Sequence, residues 1–137
     1  MTFTVGAAEI TTTPPIGVEL AGYGFGPSVG MLSELKAQAL VLDDEKTTVA
    51  LIAVDLLTVG EAFVAAVRRQ VEEELGIPGE HVLISASHSH STPTTSPLRQ
   101  WGRVDEVYAT ALEHQLVGAV RLAKSRAVAA RVAMGHG

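Results

Sequence analysis

The chain has 137 residues, of which 47% are hydrophobic and 18% charged, and its formal net charge is −5 at pH 7. Domains usually contain roughly 100–200 residues, so we expect one domain that spans residues 1–137. The basic residues are scattered without a basic stripe, which excludes the usual basis of nucleic-acid binding. The chain has no cysteine, so disulfides, thiolate metal ligands and cysteine nucleophiles are excluded as well.

The apolar content predicts a soluble protein that associates with itself. The longest unbroken apolar run, Val49–Val54, is far shorter than the ~20 residues that cross a bilayer. A signal peptide has a positively charged segment followed by an apolar one, and the N-terminus lacks this pattern, so we expect a cytoplasmic location. A small domain with a mean hydropathy of +0.27 leaves apolar surface for a partner, and we expect a homo-oligomer.

Three strands are predicted in the first half of the chain. Alternation at Phe3 and Val5 indicates a short strand, and the prolines and glycines of 14–26 indicate a long loop. No helix follows the glycines as nucleotide binding requires, so we interpret this stretch as turn-rich backbone that lies close to another segment. Leu35–Asp44 and Thr47–Leu57 form a predicted hairpin. The second of these strands is almost continuously apolar, a pattern typical of a strand covered on both faces.

The second half of the chain predicts two helices and two strands. Apolar residues recur at helical spacing in Glu61–Leu75. A buried strand follows at His81–Ser87, and Asp105 caps a helix that runs to Lys124. The tail from Ala130 starts a further strand without an evident partner. A strand, a helix and a strand in succession form a βαβ unit. We therefore predict an α/β fold with a mixed, mainly parallel sheet and two long helices packed on it.

The stretch "SASHSHSTP" contains the candidate site. His88 and His90 follow one predicted strand and Asp55 ends the strand before it. Parallel strands place their carboxyl ends at one edge of a sheet, where ligands bind, so we expect these groups to converge. An extended His-x-His pair has Cα atoms roughly 6.5–7 Å apart on one side, and two such imidazoles can bind one zinc ion. Asp55 is a candidate carboxylate ligand or a group that orients an imidazole.

The loop after the histidines carries hydroxyl groups that can contact a substrate. The candidates are Ser91, Thr92 and Thr94. A serine nucleophile with a histidine base is chemically possible here, but the G-x-S-x-G turn is missing. The pair can also be a solvated connection, and Asp55 can be a helix cap. We expect an exposed strand start at His81, a polar helix face at His114 and a chain-end position at His136.

Several stretches together resemble a known family. They are "VGAAEITTTPPIGVELAGYG", "LKAQALVLDD", "VALIAVDLL", "GIPGEHVLISASHSHSTP" and "WGRVDEVYATALEHQLVGAV". In this order they resemble the N-terminal domain of the neutral/alkaline non-lysosomal ceramidases, over nearly the whole chain. The most specific part is "SHSHSTP", where the family has a Thr-His-Thr-His-Ser-Gly-Pro type of motif. Three positions differ from the family pattern: Leu32 replaces a histidine, Gln38 a frequent arginine and Thr92 the motif glycine.

The resemblance implies a zinc-dependent amidase, in which the metal polarises an amide carbonyl and activates water. It implies that His88 is a zinc ligand and that His90 lies beside the metal. The family's other ligands, a histidine, a glutamate and a tyrosine, come from downstream regions. The chain thus corresponds to about the first third of a family member.

The residues and the resemblance together predict a zinc-dependent hydrolase of small molecules. Its substrates are amides, esters or phosphoesters, with little selectivity. His88 is the predicted metal ligand, His90 a second ligand or the general acid/base, and Asp55 the carboxylate of the site, although His and carboxylate ligands suit other divalent transition metals nearly as well. Two alternatives stay open: a non-catalytic oligomerising fragment or interaction domain, and a metal-binding module without turnover.

Overall fold

The structure is a computed structural model that describes residues 3–23 and 26–135. The centre of the glycine-rich loop, at Gly24 and Phe25, lies outside the described residues, as does His136. The strands are β1 (Phe3–Thr11), β2 (Glu19–Gly22), β3 (Gly26–Pro27), β4 (Lys36–Asp43), β5 (Thr48–Val54), β6 (Val82–Ala86), β7 (Ser91–Thr92) and β8 (Val128–Ala130), and the helices are α1 (Glu61–Leu75) and α2 (Glu106–Ser125). A short 3-10 helix, Gly79–His81, precedes β6.

The larger sheet has five strands in the order β6-β5-β4-β1-β8. The sheet is mixed and the α/β class is confirmed, as is the βαβ unit, because β5 and β6 are parallel and α1 connects them. The expectation of a mainly parallel sheet is wrong, since β4 pairs antiparallel with both β1 and β5. The physical reason is the tight turn between β4 and β5, which can only reverse the chain, whereas a parallel pair needs a long crossover.

The last strand differs from its prediction in position and pairing. It comes earlier, at Val128–Ala130, and residues 131–135 form no strand. It also has a partner, because Phe3 pairs with Ala130 and Val5 with Val128.

The helix boundaries follow the predicted signals. In α1, Gly76 adopts a left-handed conformation (φ 67°), and its N–H donates to the carbonyl of Glu72. In α2, the carboxylate of Asp105 accepts from the backbone N–H of Tyr108 at 2.9 Å. The first is a glycine C-cap and the second an acidic N-cap, and each satisfies backbone groups that a helix end leaves free. No helix within the described ranges combines the length and apolar character that a membrane crossing requires.

The hydrophobic core lies between the two helices and one face of the five-stranded sheet. Its largest fully buried side chains include Ile52, Val67, Leu112 and Leu116. In β5 the alternate residues are buried, whereas Leu51 is half-buried and Ala53 is exposed. The expectation that this strand is covered on both faces is therefore wrong for the described residues, because both helices pack on the same side.

A smaller sheet of three strands, in the order β3-β2-β7, lies beside the loop that follows β6. Ala21 pairs with Thr92 and Gly22 pairs with Ser91. This pairing ties the long N-terminal loop to the segment that carries the histidines.

Two glycines predict opposite effects of the same substitution. A Cβ at Gly6 in β1 would lie 1.9 Å from the carbonyl oxygen of Ala123 in α2, whereas a Cβ at Gly118 has no atom within 4 Å. We expect Gly6→Ala to lower the free energy of unfolding by at least about 2 kcal/mol through overpacking. Gly118→Ala, inside a helix, should raise it by about 1 kcal/mol. Urea denaturation measures both, and equal effects would contradict the packing of α2 on β1.

Candidate functional site

The candidate site lies where the chain leaves β5 and β6 at one edge of the sheet. The backbone N–H of Ser87 donates to the carbonyl of Val54 at 3.0 Å, so the parallel pair persists to its end. The segment 55–60 after β5 therefore lies beside the loop 87–95 after β6. This confirms the predicted convergence of the two strand ends.

Hydroxyl hydrogen bonds hold these two segments together. The hydroxyls of Thr58 and Thr94 lie 2.8 Å apart, and the N–H of Gly60 donates to the hydroxyl of Thr95 at 3.0 Å. Thr94 and Thr95 are both buried. The loop is thus anchored at the residue before α1, which gives the histidines a defined support.

His88 has an unusual backbone conformation and an assigned tautomer. Its φ is 62°, in the left-handed region, which costs an L-residue about 1–2 kcal/mol. Its Nδ1 lies 2.8 Å from the carbonyl oxygen of Leu57. Since a carbonyl only accepts, Nδ1 carries a proton and donates, and the neutral tautomer with this proton has its lone pair on Nε2. This is the arrangement in which a histidine binds a metal or accepts a proton.

The two imidazoles meet although the backbone is not extended. The ring centroids of His88 and His90 are 4.8 Å apart, and the ring planes are perpendicular. The left-handed turn at His88 replaces the predicted extended geometry. The prediction that the rings lie close together is nevertheless confirmed.

His90 lies close to two aromatic side chains. Its ring centroid is 4.4 Å from that of Tyr23 and 6.1 Å from that of Trp101. Its Nδ1 is buried and has no hydrogen-bond partner among the described residues. An unpaired buried polar atom costs about 1–3 kcal/mol, so this nitrogen is suited to a ligand.

A cavity of about 370 Å³ adjoins the two rings. Its lining residues are Leu57, Thr58, His88, His90, Leu98, Arg99 and Trp101. The wall is mostly apolar. Its groups able to ligate a metal are the two imidazoles, and its cationic side chain is Arg99. Arg99 forms no ion pair with any residue that the structure describes.

Asp55 does not join the histidines. Its Oδ2 accepts from the backbone N–H of Lys36 at 2.9 Å, and its own N–H donates to the Lys36 carbonyl at 2.9 Å. The described residues contain no group of three His, Asp, Glu or Cys side chains that could hold a metal ion. The expected three-residue cluster of Asp55, His88 and His90 is therefore wrong, because the carboxylate is taken up by the end of β4.

Asp55 instead influences a buried tyrosine. Burial raises the pKa of Tyr108 to about 12; the side chain of Thr12 opposes this rise and the negative charge of Asp55 adds to it. The Tyr108 hydroxyl donates to the carbonyl of Thr12 at 2.8 Å. Asp55 thus belongs to the junction of the sheet with α2.

The predicted substrate-contacting hydroxyls are placed in three ways. Thr92 is buried and donates to the carbonyl of Ser89 at 3.0 Å. Thr94 donates to the carbonyl of Ser96 at 3.1 Å. Ser91 is exposed and faces a groove other than the histidine cavity.

The other histidines lie away from the site. His81 is half-buried, with Nδ1 3.1 Å from the carbonyl of Thr48, so it is less exposed than predicted. His114 is exposed on α2, as predicted for a polar helix face.

Gly22 allows β2 to approach His90. Its φ is 109°, and a Cβ there would lie 2.7 Å from the His90 carbonyl oxygen. This confirms the interpretation of the glycine-rich loop as backbone that lies close to another segment. Only glycine combines this dihedral with this contact.

Sequence reasoning did not find the aromatic and cationic residues of the site. Tyr23 and Trp101 are 86% and 48% exposed, and Trp101 is the single tryptophan of the chain. An aromatic residue in a polar loop is a signal for a binding role. Its distance from the histidines along the chain hid the contact.

Comparisons with known proteins identify the fold. No protein-family model matches the chain, and no curated protein matches it. A solved structure of neutral ceramidase from Pseudomonas aeruginosa superposes with a TM-score of 0.76 at 18% identity. The chain shares its fold with this ceramidase. A structure described as ceramidase complexed with C2 superposes with a TM-score of 0.73, also at 18% identity. Each match covers 93% of this chain but only 22% of the solved one, so the chain spans about a fifth of those proteins.

The left-handed backbone of His88 predicts that glycine is more stable than alanine at this position, the reverse of the usual order. We expect His88→Gly to be more stable than His88→Ala by about 1 kcal/mol, because glycine has no penalty at positive φ. The comparison of two variants cancels the loss of the ring and its hydrogen bond to Leu57. Urea denaturation measures the difference.

The matched control is the exposed helical residue His114. There the glycine variant should be less stable than the alanine variant by about 1 kcal/mol. The same order of stability at both positions would refute the left-handed conformation of His88.

Proposed function

We propose that this chain is the metal-binding part of a hydrolase, in which His88 and His90 hold a zinc ion. The observation that supports this most is the His88 imidazole, whose Nδ1 is 2.8 Å from the Leu57 carbonyl, with the second imidazole 4.8 Å away. A ligating histidine usually has its other ring nitrogen bound in this way. The likeness of fold to a neutral ceramidase is consistent with a hydrolytic role.

The donor set fits a divalent transition metal but is incomplete. Imidazole nitrogens bind zinc at about 2.0–2.1 Å, and a catalytic zinc site usually has three protein ligands. The unpartnered Nδ1 of His90 and the free Nε2 of His88 are two suitable donors. The described residues add no third His, Asp or Glu to them, so the proposal assigns two ligands to this chain. When bound, zinc supplies Lewis-acid polarisation of a substrate oxygen and lowers the pKa of water to about 7.

The residues around the cavity define what the chain itself contributes. Leu57, Leu98 and Trp101 form an apolar wall, and Arg99 adds a positive side chain. Such a wall suits an apolar part of a substrate, and the cation would attract an anionic group of the substrate or product. We propose small amides, esters or phosphoesters as substrates, with little selectivity in so open a site.

A second candidate function is metal binding without turnover. It is favoured by the absence of a third ligand group among the described residues. A two-nitrogen site can bind zinc and yet fail to hold it in catalytic geometry. A panel of substrates distinguishes this candidate from the hydrolase.

We expect near-stoichiometric zinc in the purified protein and none in the His88→Ala/His90→Ala variant. Elemental analysis measures the content per chain. The control is His114→Ala, which removes an exposed histidine from α2 and should retain the metal. Equal zinc in the double variant and the wild type would show that the pair is not the site. Trp101, 6.1 Å from His90, reports zinc titration by its fluorescence.

We expect hydrolysis of activated esters, amides or phosphotriesters that stops with a chelator and resumes with zinc. His88→Ala should reduce turnover by at least about 100-fold, because loss of a partner to a metal ligand already costs about 10–100-fold. Zinc binding without hydrolysis of any substrate would favour the second candidate. Turnover that His88→Ala leaves unchanged would overturn the metal-hydrolase assignment.

A further inference from the structure

The uncovered face of the five-stranded sheet, here called the open face, carries two apolar rows. Strand pairing places Ala7 opposite Leu40, Leu40 opposite Leu51 and Leu51 opposite Leu83. Directly paired residues point to the same side of a sheet, so these four residues form one row across the strands. The neighbouring row consists of Val128, Val5, Leu42 and Val49.

The open face does not have the pattern of a face exposed to water. Antiparallel strands with one solvated face normally show polar residues there. Here polar residues begin only in the next row, with Glu9, Gln38 and Ser85. Leu83 and Val128 are 56% and 65% exposed. A contiguous apolar surface of this kind marks an interaction site.

The total surface is larger than that of a self-contained monomer. The chain exposes 8291 Å², whereas a monomeric protein of 14.3 kDa exposes roughly 6,800 Å². The excess of roughly 1,500 Å² exceeds the ≈800 Å² that each partner buries in a stable interface. The segments 29–34 and 131–135 contribute to this excess together with the open face, and the excess is larger than one partner's share of a dimer interface.

We propose that the open face binds the open face of a second copy of this chain. Neither apolar row carries a charge, so two copies can meet without burying an unpaired ion. The charged side chains at the border of the open face, Glu9 and Arg126, have opposite signs. The border therefore has no excess of one charge that would repel a second copy. A partner with a charged surface would not match this composition.

The rows also fit each other in shape. A two-fold axis along the strands, between β4 and β5, brings Leu83 over Ala7 of the second copy and Leu40 over its Leu51. Large side chains then lie opposite small ones at the edges, with leucines in contact at the centre. Sheets that pack face to face interdigitate in this manner, about 10 Å apart.

The first test is the mass in solution of the full chain. For the wild type we expect light scattering to give twice the chain mass of 14.3 kDa. For Leu51→Lys we expect the mass of a single chain, because the substitution raises the dissociation constant of the dimer at least 100-fold. The control is Leu32→Lys, the same change at a fully exposed residue outside the open face, and it should stay dimeric. If Leu51→Lys loses its helical circular dichroism, Leu83→Lys at the sheet edge takes its place.

The second test uses the absence of native cysteine. Ala7→Cys/Leu83→Cys should form covalent dimers with a short bifunctional thiol reagent that spans the ~10 Å between facing sheets, whereas either single variant should not. Within one chain these positions are three strand spacings apart, roughly 14 Å, which is beyond the reach of so short a reagent. A wild-type monomer at 100 µM would overturn the proposal. A dimer that Leu51→Lys leaves intact, or a monomer that assembles only with a different polypeptide, would overturn it too.

Discussion

The parallel pairing of β5 with β6 is the constraint on which the candidate site depends. Because α1 returns the chain to the start of the sheet, both strands end at one edge, and the segments after them must run side by side. The bond from Ser87 to Val54 continues this pairing to the last residue. The Leu57 carbonyl therefore faces the ring of His88, which orients the imidazole and assigns its proton.

The backbone is strained at this edge of the sheet, and nearby contacts stabilise the strained conformation. His88 adopts a left-handed conformation, which an L-residue adopts only where the surrounding structure imposes it. The threonine hydrogen bonds to the segment before α1 and the pairing of β2 with β7 supply that surrounding structure. Strain of this kind concentrates at functional positions, which agrees with the orphan nitrogen of His90 and the adjoining cavity.

The open face exists because both helices pack on the other side of the sheet. Both helices cover the same face of the sheet. The sequence of β5 is typical of a strand that is buried on both faces, but within the described residues only one of its faces is buried. The self-association that composition suggests and the two apolar rows have the same cause. A chain of this size has more apolar surface than one core can bury.

The sequence by itself determined both helices, the strands β1, β4, β5 and β6, the α/β class and the βαβ unit, because periodicity, caps and turns act over a few residues. Gly76 and Asp105 mark helix ends wherever the helices lie. Only the tertiary structure decided the direction of most strand pairs, the diversion of Asp55 to Lys36, and the placement of Tyr23 and Trp101 around His90. These depend on contacts between residues far apart in the chain, which packing selects and no local pattern encodes.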